Sequence, residues 1–209
     1  MGSTKNRIVK AAVKLFKERG FHQVTVRNIA EEAQVSNGGF YHHFKTKDEL
    51  LFYINEFIMD YVIKCAEKVI RKPQTPVEKM YGIVSSFVRA FYVYNLEVVV
   101  MYQESHYLAP EYYEKMRVKR DQYSQIVMEV IEEGVRTKEF RNVEPIKMIG
   151  FMIFGMVNWT YTWYEPTGEL SIEEISERYV DFIFNALLTE EAKKNTNYKK
   201  YFIPCLDLE

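Results

Sequence analysis

The chain has 209 residues, of which 47% are hydrophobic, and a formal net charge of -1. This is enough for one or two modest domains with a buried core. The longest apolar stretch, residues 148–157, is too short to span a bilayer, and the polar N-terminus lacks the apolar run of a signal peptide. Cys65 and Cys205 are far apart and lack metal-ligand spacing, which argues against a disulfide scaffold. We therefore expect a soluble cytoplasmic protein without cofactor, metal or membrane contact.

Charge is distributed unevenly along the chain. Residues 1–50 contain nine Lys or Arg and five Asp or Glu, a net charge of +4, whereas the remainder carries -5. A basic segment attached to an acidic body favours binding to a phosphate backbone. The alternative is a solvated basic face without a partner.

The first predicted helix runs from about Thr4 to Arg19. Gly20 follows it and is expected to end it in a left-handed conformation. Apolar residues recur along this helix with a spacing of three and four, which gives one stripe for a core. They are Ile8, Ala11, Ala12, Leu15 and Phe16.

Residues 25–47 predict two short helices joined by a tight turn. Thr25 and Ser36 are suitable N-caps for the first and second of these helices, and Gln34-Val35 forms the turn between them. Phe40 and Phe44 lie four residues apart and are expected on the inner face of the second helix. The pattern is that of a helix-turn-helix, whose second helix enters the DNA major groove.

The same stretch resembles the DNA-binding signature of TetR-family transcriptional regulators. The resemblance covers roughly the first fifty residues, and its positions are Thr25, Ile29, Ala30, Ala33, Val35, Ser36, Gly38, Tyr41, His43, Phe44, Lys47 and Leu50. It implies a homodimer that binds a palindromic double-stranded DNA operator and is released by a small effector.

Nine residues are predicted to contact DNA. Lys47 and Thr25 lie at helix starts, where the helix dipole favours a phosphate. From the resemblance, the backbone contacts are Thr25, Tyr41, His42 and Lys47, and the residues nearest the bases are Arg27, Ser36, Asn37 and Gly39. Arg27 is suited to guanine and Asn37 to adenine. Gly38 and Gly39 would let the helix come close to the duplex.

The rest of the chain is also predicted to be helical, because alternation with period two is absent. The expected helices cover about residues 46–70, 76–94, 95–106, 110–135, 145–163 and 172–188, and no element is assigned after residue 190. Capping boxes are predicted at Thr46 with Glu49, Thr75 with Glu78, and Ser171 with Glu174. The expected class is therefore all-α, with a DNA-binding domain in residues 1–50 and a ligand-binding and dimerisation domain in 51–209.

The apolar segment 148–157 is hydrophobic nearly all round, so a helix there must be covered on every side. One face would close the domain core and the other would meet a second subunit, with Gly155 permitting a close approach. The last helix could share this interface through Ile175, Tyr179, Phe182, Ile183 and Ala186. The alternative is a monomer with a central buried helix.

The body contains 27 of the 32 aromatic residues and eight of the nine methionines. Such side chains form an ordinary core or line an adaptable apolar cavity. Segment 158–174 resembles the C-terminal region of TetR-type repressors of fatty acid degradation and sterol catabolism, which implies a long-chain acyl-CoA effector. The candidate ligand-binding residues are Arg89, Tyr92, Tyr102, Arg120, Tyr123, Phe154, Asn158, Trp159 and Trp163.

Two other functions of the body would need features of their own. A TetR-like sensor of drugs or other lipophiles would need buried carboxylates among its aromatic residues to bind cations, whereas Arg89 and Arg120 suit anionic groups. An enzyme would need a catalytic constellation, and the sequence contains no Gly-rich phosphate loop, G-x-S-x-G or H-E-x-x-H motif. We therefore expect a regulator and not an enzyme.

Overall fold

The computed structural model describes residues 3–204, and within them the regular structure is helical apart from one isolated bridge between Phe140 and Leu188. The all-α prediction is confirmed. The helices are α1 (Thr4–Arg19), α2 (Val26–Glu32), α3 (Asn37–Tyr41), α4 (Lys47–Ile70), α5 (Pro76–Val93), α6 (Asn95–Glu104), α7 (Pro110–Arg136), α8 (Ile146–Asn158), α9 (Ile172–Leu187) and α10 (Glu190–Lys194). Single 3-10 segments span Ser105–Tyr107, Trp159–Thr162 and Thr196–Tyr201. Cys205 lies outside the described residues.

The chain forms two compact units. The first unit contains the residues up to Tyr61 together with Tyr94–Arg120. The second contains Val62–Val93 and the residues from Asp121 onwards. The long helices α4 and α7 each contribute residues to both units.

In the first unit, α1 packs against α2, α3 and α6. The predicted bounds of α1 are confirmed, and its apolar stripe is buried. Gly20 ends the helix with φ 77° and ψ 156°. The positive φ was predicted, but ψ lies outside the left-handed helical region and in one that is essentially restricted to glycine.

The two helices of the predicted helix-turn-helix begin at their predicted caps. The Thr25 hydroxyl accepts a hydrogen bond from the Asn28 amide, and the Ser36 hydroxyl accepts one from the Gly39 amide. The helix α3 is only five residues long. Phe40 and Phe44 are both buried as expected, but Phe44 lies beyond the end of the helix.

The predicted capping boxes of the second unit are confirmed. The Thr75 hydroxyl and the Glu78 carboxylate each accept a hydrogen bond from the other residue's backbone amide, and Ser171 and Glu174 form the same pair. The third box is incomplete: Thr46 caps the Glu49 amide, but the Glu49 carboxylate accepts from the amide of Lys45 instead of Thr46.

The helix α8 ends at Asn158, five residues before the predicted end at Trp163. The chain tightens there into a 3-10 segment, in which Thr160 is fully buried and its hydroxyl is 2.8 Å from the Tyr179 hydroxyl. This contact with α9 joins residues 19 positions apart, so a pattern of local spacing does not reveal it.

The helix α8 has one buried and one exposed apolar face. Ile149, Ile153 and Val157 are buried in the second unit. On the other side, Met152 is 63% exposed and a side chain added at Gly155 would meet no atom within 4 Å. The exposed large apolar residues of α8 and of the chain next to it are Met148, Phe151, Met152, Trp159 and Trp163. On α9, Phe182 is exposed, whereas Ile175 and Ile183, predicted for the same interface, belong to the core.

Residues 188–203, which we call the C-terminal strap, are ordered against the second unit, where sequence analysis assigned no element. The Thr189 hydroxyl donates to the Lys138 carbonyl at 2.9 Å, and the Ile203 amide donates to Asp181 at 3.0 Å. The buried Tyr201 ring lies 4.7 Å from the Tyr81 ring and 5.4 Å from the Phe184 ring. The strap therefore fastens the last helices to α5 and to the turn after α7.

Replacing Tyr198 with phenylalanine is expected to flatten the alkaline dependence of stability. Burial of the Tyr198 hydroxyl, together with its hydrogen bond to Glu139, raises its pKa to about 12, above the value of about 10 in an unfolded chain. The stabilisation is therefore fully present below pH 10 and is lost as the pH rises towards 12, by up to about 2–3 kcal/mol.

Chemical denaturation from pH 8 to 12 measures this effect as the difference in slope between Tyr198→Phe and the wild type. Tyr113→Phe, at an exposed tyrosine on α7, is the control and should keep the wild-type slope. An unchanged slope in Tyr198→Phe would contradict the assignment.

Candidate nucleic-acid interface and effector cavity

The residues predicted to contact DNA are concentrated on and around α3. All are exposed except Gly39 and Lys47, which are half-buried. The Tyr41 side chain is 56% exposed although its ring packs against Phe40. We call the exposed residues at α3 the recognition surface; they are Ser36, Asn37, Gly38, Tyr41 and His42. This surface offers hydroxyl, amide, phenol and imidazole groups, which are suited to the edges of bases and to phosphates.

The two glycines of α3 are not required by the packing of the chain itself. A Cβ atom at Gly38 would lie 3.7 Å from the Ser36 hydroxyl oxygen, and one at Gly39 would lie 3.4 Å from the same atom. Both are ordinary contacts. Because glycine within a helix costs about 0.5–1 kcal/mol relative to alanine, these residues lower local stability without relieving a clash.

Arg27 on α2 is engaged within its own helix. Its Nε atom lies 2.8 Å from a Glu31 carboxylate oxygen, and both side chains are largely exposed. An exposed pair of this kind contributes little to stability, so the guanidinium can exchange Glu31 for an external acceptor.

Lys47, the first residue of α4, is held by the turn between α1 and α2. Its ammonium donates to the Phe21 carbonyl at 2.6 Å and to the Val24 carbonyl at 2.7 Å, and it lies 4.2 Å from the centre of the Phe21 ring. Burial of the ammonium lowers the pKa of Lys47. Since an ammonium has three donors, one remains for a further acceptor such as a phosphate oxygen.

Two features of this region are absent from the predicted set. Lys45 is exposed between α3 and α4, and its charge and position in the sequence were a sufficient signal for including it. Glu104 lies at the end of α6 and hydrogen-bonds to the backbone of Phe21. That contact joins residues 83 positions apart, and no local pattern indicates it.

The second unit contains a small apolar cavity between α5, α7 and α8. Its volume is about 10 Å³, close to the minimum for a single water molecule. It is lined by Met80, Ile83, Val84, Phe87, Tyr123, Val127, Ile153, Phe154 and Val157. The Tyr123 ring stacks on Phe87 at 5.5 Å and faces Phe154 at 5.8 Å. Tyr123 and Phe154, both predicted ligand residues, therefore meet at one cavity.

The other predicted ligand residues are located elsewhere. Arg89 lies in an open groove between α5 and α9 with Ser85, Glu173 and Glu177, and not at the apolar cavity. The exposed aromatic side chains of this set are those of Tyr92, Trp159 and Trp163, and Arg89 and Arg120 are exposed as well. Asn158 is half-buried at the end of α8.

Two predicted ligand residues belong to the first unit. Tyr102 on α6 is half-buried, and Arg120 on α7 lies with its guanidinium 5.1 Å from the centre of the Tyr113 ring. The structure thus brings together two of the nine predicted ligand residues.

Within residues 3–204 no cluster of three or more His, Cys, Asp or Glu side chains could hold a metal ion. In the same part of the chain no single helix is long and apolar enough to cross a membrane. One bent pair, Pro76–Val93 with Asn95–Tyr107, meets that criterion by length and composition.

Comparison with known families agrees with the geometry of α2 and α3. Residues 8–54 match the family of bacterial regulatory proteins of the TetR type, and residues 73–187 match the tetracyclin repressor-like C-terminal domain. The chain belongs to the TetR family. It is a DNA-binding transcriptional repressor of this type and not an enzyme.

The similarity to individual relatives extends over most of the chain. It is 23% identical to the transcriptional repressor KstR2 of Mycolicibacterium smegmatis over 92% of this chain and 95% of that protein. It is 26% identical to the fatty acid metabolism regulator protein of Bacillus subtilis, over 86% and 93% of the two chains. The structure of the TetR-family regulator PfmR from Thermus thermophilus superposes with a TM-score of 0.81 at 28% identity, over 88% of this chain and all of that one.

Proposed function

We propose that the protein is a cytoplasmic homodimer that binds a palindromic operator and is released from it by a long-chain acyl-CoA. In this proposal residues 1–50 bind DNA, and residues 51–209 bind the effector and the second subunit. The observation that carries the DNA-binding part is the recognition surface, an exposed set of polar groups that a buried Phe40 fixes to the first unit.

The recognition surface supports a division of roles among its residues. Asn37 begins α3 with an exposed amide, which suits adenine, and Arg27 suits guanine once it leaves Glu31. Thr25, Tyr41, His42 and Lys47 would contact the DNA backbone. Ser36 and Gly39 would lie closest to the bases together with Arg27 and Asn37, and Gly38 would allow the close approach of α3. Phosphate contacts supply affinity and base contacts supply specificity.

The glycines of α3 provide a test with effects of opposite sign. Gly38→Ala is expected to raise the free energy of unfolding by about 0.4–1 kcal/mol, because alanine restricts the unfolded chain and fits the helix. The same methyl group would stand between α3 and the groove, so operator affinity is expected to fall at least about ten-fold, a loss of about 1.4 kcal/mol.

Thermal unfolding and fluorescence anisotropy on the selected operator measure the two effects. Gly82→Ala is not a suitable control, because its methyl group would lie 2.9 Å from Val69. Gln125→Ala, on the exposed side of α7, should change neither quantity greatly. If Gly38→Ala bound the operator as tightly as the wild type, the close approach of α3 to DNA would be wrong.

The exposed apolar face of α8 supports the homodimer. Contiguous apolar surface on a folded unit marks an interaction site, and Phe151 and Met152 on α8 are both more than half exposed. Phe182, at 65% exposed, adds a side chain from α9. Two copies of this face would give an isologous contact, in which the same residues contribute from each subunit.

The cavity between Tyr123 and Phe154 supports an acyl effector. The residues that line it carry no carboxylate, so it is suited to a hydrocarbon chain and not to a lipophilic cation. The cavity is too small for an acyl chain as it stands, which means that binding must move the lining rings apart. The name of the Bacillus subtilis relative, a fatty acid metabolism regulator, favours the same effector class.

The test is a titration of operator-bound protein with acyl-CoA thioesters of increasing chain length. Each buried methylene is expected to add about 0.8 kcal/mol until the cavity is filled, so release should become more efficient with chain length. Free fatty acid and a lipophilic dye cation are the controls. Release by the cation and by none of the thioesters would favour the drug sensor, and would leave the DNA-binding function intact.

A further inference from the structure

Glu104 at the end of α6 is the only buried Asp, Glu, Lys, Arg or His residue within residues 3–204. Only 7% of the residue's surface is exposed. A carboxyl group is costly to bury unless it is hydrogen-bonded. The proposed recognition surface and effector cavity do not include it, so its burial calls for another explanation.

The hydrogen bond of Glu104 lies next to the residues that hold Lys47. The Phe21 amide donates to the Glu104 carboxyl oxygen Oε2 at 3.2 Å, and the carbonyl of the same Phe21 accepts from the Lys47 ammonium at 2.6 Å. One residue of the turn is therefore bound on its amide side by α6 and on its carbonyl side by the first residue of α4.

Further contacts join this turn to the end of α6. Gly20 has a conformation that few other residues adopt. The Tyr107 ring, just after α6, lies 4.1 Å from the His22 ring and 6.1 Å from the Phe21 ring. Glu104 and Tyr107 both contact the turn, so a movement of the end of α6 would also move the turn.

We infer that Glu104 is a positioning residue for DNA binding: through the Phe21 backbone it sets where α4 presents the Lys47 ammonium to an operator phosphate. The inference rests on the proposed function, since it takes Lys47 as a phosphate contact.

The alternative is that Glu104 only stabilises the turn, and the salt dependence of operator binding separates the two. The operator is first selected from random double-stranded DNA with the wild-type chain. Each neutralised phosphate contributes about 0.9 to the slope of log affinity against log salt concentration. Lys47→Ala is expected to lower that slope by about one, which tests the phosphate contact itself.

Glu104→Ala is expected to lower the slope by nearly as much as Lys47→Ala and to weaken operator binding roughly ten-fold at about 0.15 M salt. The amide oxygen of Glu104→Gln can accept the same hydrogen bond. This variant should therefore recover most of the wild-type slope and most of the wild-type operator affinity. In the double variant with Lys47→Ala, removing Glu104 should change affinity less than about two-fold, because coupled residues are not additive. Gln103→Ala, at the exposed neighbour on α6, is the matched control.

Glu104→Asp covers the case in which Glu104→Ala does not fold. It keeps the carboxyl group but is one methylene shorter, so it is expected to shift the slope in the same direction as alanine. A wild-type slope in folded Glu104→Ala or Glu104→Asp, or full additivity with Lys47→Ala, would overturn the inference and leave Glu104 as a stabiliser of the turn. Failure of the wild type to select any operator would instead reject the proposed function.

Discussion

Gly155→Arg is expected to sediment as a monomer and to lose binding to a full palindromic operator. The position faces open space in a single chain, so the arginine can be accommodated without disturbing the fold. In a dimer formed through α8 it would place an unpaired charge in a dry interface, at a cost of about 3–5 kcal/mol per buried charge. The dimer dissociation constant should rise at least about a hundred-fold, since 1.4 kcal/mol is a factor of ten.

Analytical ultracentrifugation and operator binding measure this result together. Val118→Arg is the matched control, because Val118 is also apolar and 58% exposed but lies on α7. It should remain dimeric. If Gly155→Arg is still dimeric at the concentration where the wild type is dimeric, α8 does not form the dimer interface. Residual binding of the variant to a half-site would still support the role of the recognition surface.

Phe154→Ala is expected to shift the preferred effector towards longer acyl chains. The ring lies at the edge of the cavity and contacts Tyr123, so its removal enlarges the space available to a chain. Two additional buried methylenes at about 0.8 kcal/mol each would raise the relative affinity for the longest thioesters about ten-fold. The variant is also expected to be less stable, by at most about 3–5 kcal/mol, because a cavity remains when no effector is bound.

Tyr92→Ala is the control for this shift. Tyr92 lies on α5 as a predicted ligand residue, but it is 54% exposed and does not line the cavity. Its replacement should leave the order of chain lengths as in the wild type. If Phe154→Ala leaves that order unchanged and Tyr92→Ala alters it, the acyl chain binds near the outer end of α5 instead.

Helix boundaries marked by capping chemistry could be predicted from sequence. Thr75 with Glu78 and Ser171 with Glu174 start their helices where expected, because a cap is a local interaction between residues three positions apart. The end of α8 was missed for the opposite reason. The aromatic residues that follow α8 have a helical pattern in the sequence. In the structure, however, the Thr160 hydroxyl contacts the Tyr179 hydroxyl, and this contact depends on the tertiary fold.

The exposed positions of α3 were predictable because a short amphipathic helix has one buried face, here marked by Phe40. The turn before it contains Gln34 with φ 54°, a conformation that nothing in the residue type indicates. The ligand set was harder to predict. Aromatic composition pointed to Tyr123 and Phe154, which line the apolar cavity. It could not tell which side chains on α5 and α8 point inward, since that depends on how each helix is rotated about its own axis.

The C-terminal strap has a practical consequence for how the protein is handled. The part shared with the TetR C-terminal domain ends at residue 187, and a shortened gene designed on that boundary would end before Tyr198 and Tyr201. The shortened protein would expose Phe184 and Phe140, which are fully buried in the structure, and would be prone to aggregation. An affinity tag or fluorescent fusion joined directly after α9 would meet the same problem. Such additions belong at the N-terminus of the full chain or beyond residue 204 with a flexible spacer.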